Sequence, residues 1–168
     1  GHGSSVGFDV SIDVPSLFSN DNGRYPVMIA NSCKAGDIHQ QNSIPTSISE
    51  QWVLEPDGGA LAFLATIDNG NKFFLNSYCT SLYESISYFE YANTIGSQVK
   101  RGIRENAQPF NDVTRLHNLE YTLHGDPGIN ITNRPLPDLM VNQQSIWFEP
   151  EEITTEMQEF EMNIQITN

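Results

Sequence analysis

Two short stretches hold residue types that could do covalent chemistry together. The first is Gly1-His2-Gly3-Ser4, and the second is Asn31-Ser32-Cys33-Lys34-Ala35-Gly36-Asp37. A thiol becomes a nucleophile only with some exposure and a lowered pKa, starting from about 8.5. Lys34 and a nearby imidazole would both favour the thiolate. The glycines flanking His2 let backbone and imidazole approach a substrate closely, and the Gly3 amide is placed to donate to an oxyanion. A cysteine paired with an upstream histidine is the general nucleophile–base arrangement. The competing reading of each piece is structural. A cysteine at a strand end can simply pack there, and Gly-His-Gly can simply mark a turn.

Other candidates carry less. His39 lies six residues after Cys33 on a polar loop and is a rival partner for it, with solvation as its simpler role. A zinc site built from Cys33, His39 and a distant histidine lacks any recognisable ligand spacing. His117 and His124 read as surface and packing residues. Cys79 falls on the apolar stripe of a helix and reads as a core thiol. Gly125-Asp126-Pro127 reads as a turn lock, because Asp bonds its own backbone and Pro fixes φ. The glutamates after Phe148 read as a solvated loop, and Lys100, Arg101 and Arg104 as the polar side of their helix.

These residues need elements to position them. Residues 1–25 are rich in Gly, Ser, Asn and Asp and read as a loop. Tyr25 to Ser32 has a continuous apolar centre, as expected of a strand buried on both faces. Ser43 to Leu54 opens like a helix, with a Ser or Thr cap, Glu50 in support, and Ile48, Trp52 and Val53 on one face. Ala60 to Ile67 reads as a second buried strand, closed by Asp68-Asn69-Gly70. Asn71 to Tyr91 carries a helical stripe of Phe74, Leu75, Tyr78, Cys79, Leu82, Ile86 and Phe89. Thr94 to Glu105 reads as a further helix and Leu119 to Thr132 as extended. Strand, helix, strand, helix predicts an α/β layered sheet, with Cys33 at the carboxyl end of its strand, where such sheets form ligand sites. The two prolines of Arg134-Pro-Leu-Pro137 read as a stiff linker. The strand-like runs beyond it read as the start of an all-β sandwich domain.

Composition narrows the function class. Eight basic residues against 21 acidic ones give a formal net charge of -13, which disfavours nucleic-acid partners. The longest strongly apolar stretch, Ala60 to Ile67, is too short to span a bilayer. Two cysteines, Cys33 and Cys79, cannot build a disulfide framework. The chain opens on Gly-His-Gly-Ser-Ser without an initiator Met and closes straight after an alternating run. We read it as a fragment of a longer protein, so a missing targeting signal says nothing about compartment.

In order along the chain, Gly1-His2-Gly3-Ser4, Asn31 to Asp37, Gly58-Gly59-Ala60-Leu61-Ala62-Phe63-Leu64-Ala65-Thr66 and Leu123-His124-Gly125-Asp126-Pro127 resemble the gingipain-type cysteine peptidases (peptidase family C25). The resemblance covers residues 1 to about 134, the C-terminal part of a catalytic domain. It implies a caspase-like α/β fold, and for residues 135–168 a linker and a truncated Ig-like β domain. It makes His2 the general base and acid and Cys33 the nucleophile of a cysteine-type endopeptidase working through an acyl-enzyme. The amides of Gly3 and Cys33 become the oxyanion hole. Asp68, first beyond the second strand, is the candidate for pairing with a basic side chain of a peptide substrate, with turn chemistry as its alternative role. The family places an orienting acid upstream of the histidine, and no residue of this chain corresponds to it. Relatives in type IX secretion cleave a signal and transfer the product to an amine, so a transpeptidase is a sister reading. A non-catalytic surface adhesin on the same fold is the reading from another class. The resemblance further implies no required cofactor, possible structural calcium, protein or peptide substrates, and a secreted or surface location in Bacteroidetes-type bacteria.

Overall fold

The strand Ala62–Thr66 (β4) is buried at all five residues, and the rest of the fold is arranged to cover it. The computed structural model describes residues 2–10, 12, 14–18, 20, 23–39, 46–107, 111–132, 145–149, 154 and 159–166. Before β4 come a short antiparallel hairpin, Gly3–Ser4 (β1) and Gly7–Phe8 (β2), a 3-10 turn at Pro15–Leu17, the strand Val27–Ala30 (β3) and the helix Ile48–Leu54 (α1). After it come Lys72–Glu84 (α2), Ile95–Asn106 (α3), Asp112–Glu120 (α4) and Tyr121–Gly125 (β5). The sheet runs β3-β4-β5. β3 is parallel to β4, with Ala30 opposite Ala65, and β5 is antiparallel to it, with Tyr121 opposite Thr66.

The pleat of β4 sends alternate side chains into two cores. Phe63 and Ala65 pack with Ala30, Ile48 and Trp52 beneath α1. Leu64 packs with Leu75, Tyr78, Cys79, Leu82 and Tyr121 beneath α2. Each fully buried Phe or Leu contributes about 1.5–3 kcal/mol, so the central strand anchors both layers.

Capping chemistry sets the helix starts. Ser47 and Glu50 form a reciprocal capping box at α1, which settles on Ser47 the Ser or Thr cap that the sequence leaves open. Asn71, Thr94 and Asn111 accept from backbone N–H groups at the starts of α2, α3 and α4. Such caps stabilise by about 1 kcal/mol each.

Three expectations are corrected. The predicted helix over 71–91 ends as an α-helix at Glu84 and continues as a π-turn over Ser85–Phe89. There the Ser85 hydroxyl donates to the Gln98 carbonyl at 2.8 Å, and the Gln98 amide donates to the Glu90 carbonyl at 3.1 Å. α3 therefore re-shapes the end of its neighbour. The second correction is α4, which ends at Glu120 where an extended run was predicted from Leu119. Its buried face is polar (Thr114, His117, Asn118), while Val113, Leu116 and Leu119 are exposed. The third is β3, predicted to be buried on both faces. Val27, Met28 and Ile29 are only half-buried, because this strand is at the edge of the sheet.

The chain divides into two units, residues 1–132 and 133–168. In the second, Ile146–Glu149 (β6) pairs antiparallel with Glu161–Ile164 (β7), Ile146 opposite Ile164. The Gln165 N–H extends the ladder to the Ser145 carbonyl at 2.7 Å. The proline linker at 134–137 and the predicted run at 138–141 lie outside the described residues.

Candidate active site

The nucleophile candidate lies on a loop stitched to the end of β4. Thr66 Oγ1 donates to the Ser32 carbonyl at 2.6 Å. The Lys34 N–H donates to the Asp68 carbonyl at 3.0 Å, and the Gly36 N–H to the Thr66 carbonyl at 2.8 Å. From the other side, the Ser49 N–H of α1 donates to the Ala35 carbonyl at 3.2 Å. Two local features let the loop turn this tightly. Lys34 takes a left-handed backbone, φ 52°, which costs a side-chain-bearing residue about 1–2 kcal/mol. At Gly36 a Cβ would sit 3.0 Å from the Ala65 carbonyl oxygen, so a side chain there would push the loop off β4 by a few tenths of an ångström. Strain held next to a candidate nucleophile is a recurring mark of functional sites.

Cys33 is half-buried, and its thiol donates to the Gly70 carbonyl at 3.7 Å. Cys79 differs in every respect. It is buried on α2, its sulfur lies 3.9 Å from the Tyr121 hydroxyl, and burial pushes its thiol up despite that hydroxyl. Of the two thiols, only Cys33 is accessible on a loop.

His2 is carried by the hairpin β1–β2. The Ile48 N–H donates to the Ser5 carbonyl at 3.0 Å, which ties the hairpin tip to α1. The Phe8 ring stacks against Phe63, with centroids 6.4 Å apart. At Gly3 a Cβ would fall 2.6 Å from Ser32 Oγ and 3.2 Å from the Cys33 carbonyl oxygen. The missing side chain is therefore what lets the His2 segment lie against the Cys33 loop. Beside this junction, a cavity of about 220 Å³ runs along β3, with His2, Asp9, Asn31 and Ser32 on its wall. The Ser32 hydroxyl is buried there without a hydrogen-bond partner. Among the described residues, no hydrogen bond joins Cys33 Sγ to the His2 imidazole. Catalytic pairs are often loose without substrate.

Asp68 lies at the mouth of the same loop. Its side chain is 63% exposed, its Oδ1 accepts from the Asn69 N–H at 2.7 Å, and Lys34 Nζ stands 3.9 Å away. Both charges are solvated, so that ion pair is weak.

The remaining histidines stand elsewhere. His39 is exposed, and its backbone N–H donates to Asp37 Oδ1 at 3.2 Å. His117 is buried, not a surface residue. Its Nε2 accepts from the Asn71 N–H at 3.1 Å and its Nδ1 meets the Val113 carbonyl at 2.9 Å, which requires the neutral Nδ1–H tautomer. It holds the start of α2 against α4. His124 pairs across to Phe63 in the sheet. Both its ring nitrogens are buried without a partner, and desolvation holds its pKa below the usual histidine range, partly offset by Glu50. Arg101, read as solvent-facing, is half-buried. It pairs with Glu105 at 2.9 Å and lies over the Phe89 ring. Asp126 forms the expected turn, its Oδ1 accepting from the Gly128 N–H at 2.7 Å. Among the described residues, no group of three or more His, Cys, Asp or Glu is placed to hold a metal ion.

One contributor was missed in the sequence. Thr66 anchors the Ser32 carbonyl, and its signal was a threonine closing an otherwise apolar strand.

Residues 1–132 match the family model of peptidase family C25. Among curated proteins, none matches the chain in sequence. Among solved structures, the fold is similar to the Arg-specific cysteine proteinase gingipain R (RgpB). The TM-score is 0.68 at 17% identity, over 84% of this chain and 34% of that one. A complex of the Porphyromonas gingivalis RgpB pro- and mature domains matches equally, over 84% and 35%. A structure described as a protease matches with TM-score 0.63 at 12% identity, over 88% and 39%. The chain thus spans about a third of the length of these relatives.

Proposed function

The chain belongs to peptidase family C25, and from that premise we propose that it carries the Cys–His half of a cysteine endopeptidase site. The single observation behind this reading is the close approach of Gly3 to Ser32 and Cys33, which sets the His2 segment beside the only accessible thiol among the described residues. In the proposed route, the Cys33 thiolate attacks a peptide carbonyl and the C–S bond forms as the carbonyl pair moves onto oxygen. The amides of Gly3 and Cys33 stabilise that oxyanion. In the β1–β2 ladder the His2 carbonyl is bonded to Asp9, so by alternation the Gly3 N–H points out of the hairpin, as this role needs. Collapse breaks the C–N bond, and the His2 imidazolium gives its proton to the leaving amine. Water then attacks the thioester, His2 takes its proton, and the C–S bond breaks to restore the thiolate.

Asp68 is the proposed reader of a basic side chain before the scissile bond. Its exposure beside the Cys33 loop supports this, as does the description of gingipain R as Arg-specific. The route uses no cofactor. The calcium that the resemblance brings finds no matching cluster among the described residues, and no step is routed through it. The reading extends to protein substrates, to an extracellular or surface location, and to β6–β7 as the opening of an Ig-like domain.

The test is active-site labelling of the full-length protein with a peptidyl acyloxymethyl ketone. The expected adduct lies on Cys33, and His2→Ala slows its formation by about 10²-fold or more. Labelling no faster than that of a model thiol would sink the reading. For Asp68, the Asp68→Asn variant should lower the Arg-over-Gln ratio of kcat/KM by about tenfold. An unchanged ratio would leave it a turn residue.

A further inference from the structure

We propose that His117 is a positioning residue for Cys33, acting through the one peptide unit that joins Gly70 to Asn71. That unit is hydrogen-bonded at both ends. Its carbonyl, on Gly70, accepts from the Cys33 thiol at 3.7 Å. Its N–H, on Asn71, donates to His117 Nε2 at 3.1 Å. The imidazole accepts there only with Nε2 unprotonated, and the Val113 carbonyl, 2.9 Å from Nδ1, keeps the proton on the other nitrogen. Thiol, peptide and imidazole thus form one chain of hydrogen bonds from the Cys33 loop to α4. Within such a chain, an N–H that donates makes its own carbonyl the better acceptor. The bearing on catalysis rests on the reading of Cys33 as the nucleophile, whereas the relay itself does not.

The peptide unit is held on its other sides as well. Asn71 is the N-cap of α2, its side chain accepting from the Phe73 N–H at 3.0 Å and its carbonyl from the Leu75 N–H at 2.9 Å. A Cβ at Gly70 would fall 2.5 Å from Leu75 Cδ2, so the unit lies flush against the first turn of that helix. The imidazole is fixed in turn, since His117 is 6% exposed and its ring packs against Phe74 with centroids 4.9 Å apart. Only a thiol can donate to the Gly70 carbonyl, because a thiolate has no proton to give and would meet the oxygen as a second electron-rich atom. The contact therefore belongs to the resting state and must break before Cys33 attacks. By holding that carbonyl in place, His117 keeps the accessible thiol in its unreactive form until the sulfur turns toward a substrate.

The experiment uses the full-length protein. In the 15N-labelled wild type, NMR should show a coupling across the hydrogen bond between the Asn71 amide nitrogen and His117 Nε2. Its absence would overturn the relay whatever the variants do. Alkylation of Cys33 by iodoacetamide, followed by mass spectrometry, is then compared in wild type, His117→Phe and His117→Gln, with Cys79 as the internal reference. His117→Phe keeps a ring and removes the acceptor. It should free the thiol and speed its alkylation about two- to fivefold, the worth of one weak sulfur hydrogen bond, while buried Cys79 stays protected. His117→Gln can still accept from the Asn71 N–H and should keep the wild-type rate. An unchanged Cys33 rate in His117→Phe, equal rates in the two variants, or Cys79 reacting in step with Cys33 would overturn the assignment. Iodoacetamide needs no peptidase activity to react. A wild type that turns over no peptide but shows the coupling and these rates loses the peptidase reading and keeps the relay, and normal turnover without the coupling does the reverse.

Discussion

Substituting Gly3 by Ala tests whether the junction of the His2 and Cys33 segments is as tight as it stands. The new Cβ would meet Ser32 Oγ at 2.6 Å, Ser32 Cβ at 2.9 Å and the Cys33 carbonyl oxygen at 3.2 Å, where ordinary contact begins at 3.4 Å. Rotating the Ser32 side chain relieves only the first clash. Ser32 itself cannot retreat, because it is 5% exposed and Thr66 Oγ1 grips its carbonyl at 2.6 Å. The hairpin must lift instead, by several tenths of an ångström. Overpacking of this kind costs about 1–3 kcal/mol, read as a lower urea midpoint at constant slope. A displacement of several tenths of an ångström between His2 and Cys33 should slow acylation by about tenfold, read by single-turnover labelling of Cys33. Gly23→Ala is the control. It has no neighbour within 4 Å and a φ of +63°, so it should lose about 1 kcal/mol of stability and no reactivity. Ser32→Gly removes both Ser32 contacts, so the double variant should recover most of the loss, with a coupling of at least about 1 kcal/mol. The reasoning is refuted if Gly3→Ala leaves both the midpoint and Cys33 reactivity unchanged. It is equally refuted if Ser32→Gly fails to relieve the loss.

Three further outcomes follow from the same contacts. Cys33→Ala should abolish turnover and thiol labelling, whereas Cys79→Ala should keep both and lose about 1 kcal/mol in a urea melt, the cost of a small core truncation. Thr66→Val should strand the Ser32 carbonyl and cost about 1–3 kcal/mol, with slower Cys33 labelling because the loop loses its anchor on β4. For His124 the folded pKa lies below the unfolded value of about 6.5, so the unfolded chain binds the extra proton first. Its contribution is present in full above that value and is lost as pH falls below it. His124→Phe should flatten the pH dependence of the melting temperature in that window, and an unchanged slope would show that the ring is not desolvated.

What was legible in the sequence is what local physics fixes. The run Ala60 to Ile67 reads as a strand buried on both sides, and Glu50 behind a Ser or Thr cap reads as a helix start; β4 and α1 form within those runs. What was not legible depends on partners distant in sequence. α4 inverts the usual pattern: Thr114, His117 and Asn118 face inward to meet polar groups, Asn118 accepting from the Asn106 side-chain amide at 2.6 Å and His117 serving Asn71. Its apolar residues face outward, so hydrophobic periodicity could not announce it. The π-turn after α2 likewise exists because Ser85 and Gln98 find each other across two helices.

The candidate site divides along the same line. His2 and Cys33 announce themselves by type and by their flanking glycines. Lys34 has no intrinsic preference for a left-handed backbone. It adopts one because its N–H reaches the Asp68 carbonyl while Gly36, two residues on, reaches that of Thr66. The loop after Cys33 is thus hydrogen-bonded at three consecutive residues, Lys34, Ala35 and Gly36, to the turn after β4, to α1 and to the end of β4. The hairpin is held in turn by Phe8 on Phe63 and by Ser5 on Ile48. The two segments approach each other closely at Gly3, where a Cβ would meet both Ser32 and the Cys33 carbonyl oxygen, so a substitution there reads the spacing of His2 and Cys33 directly.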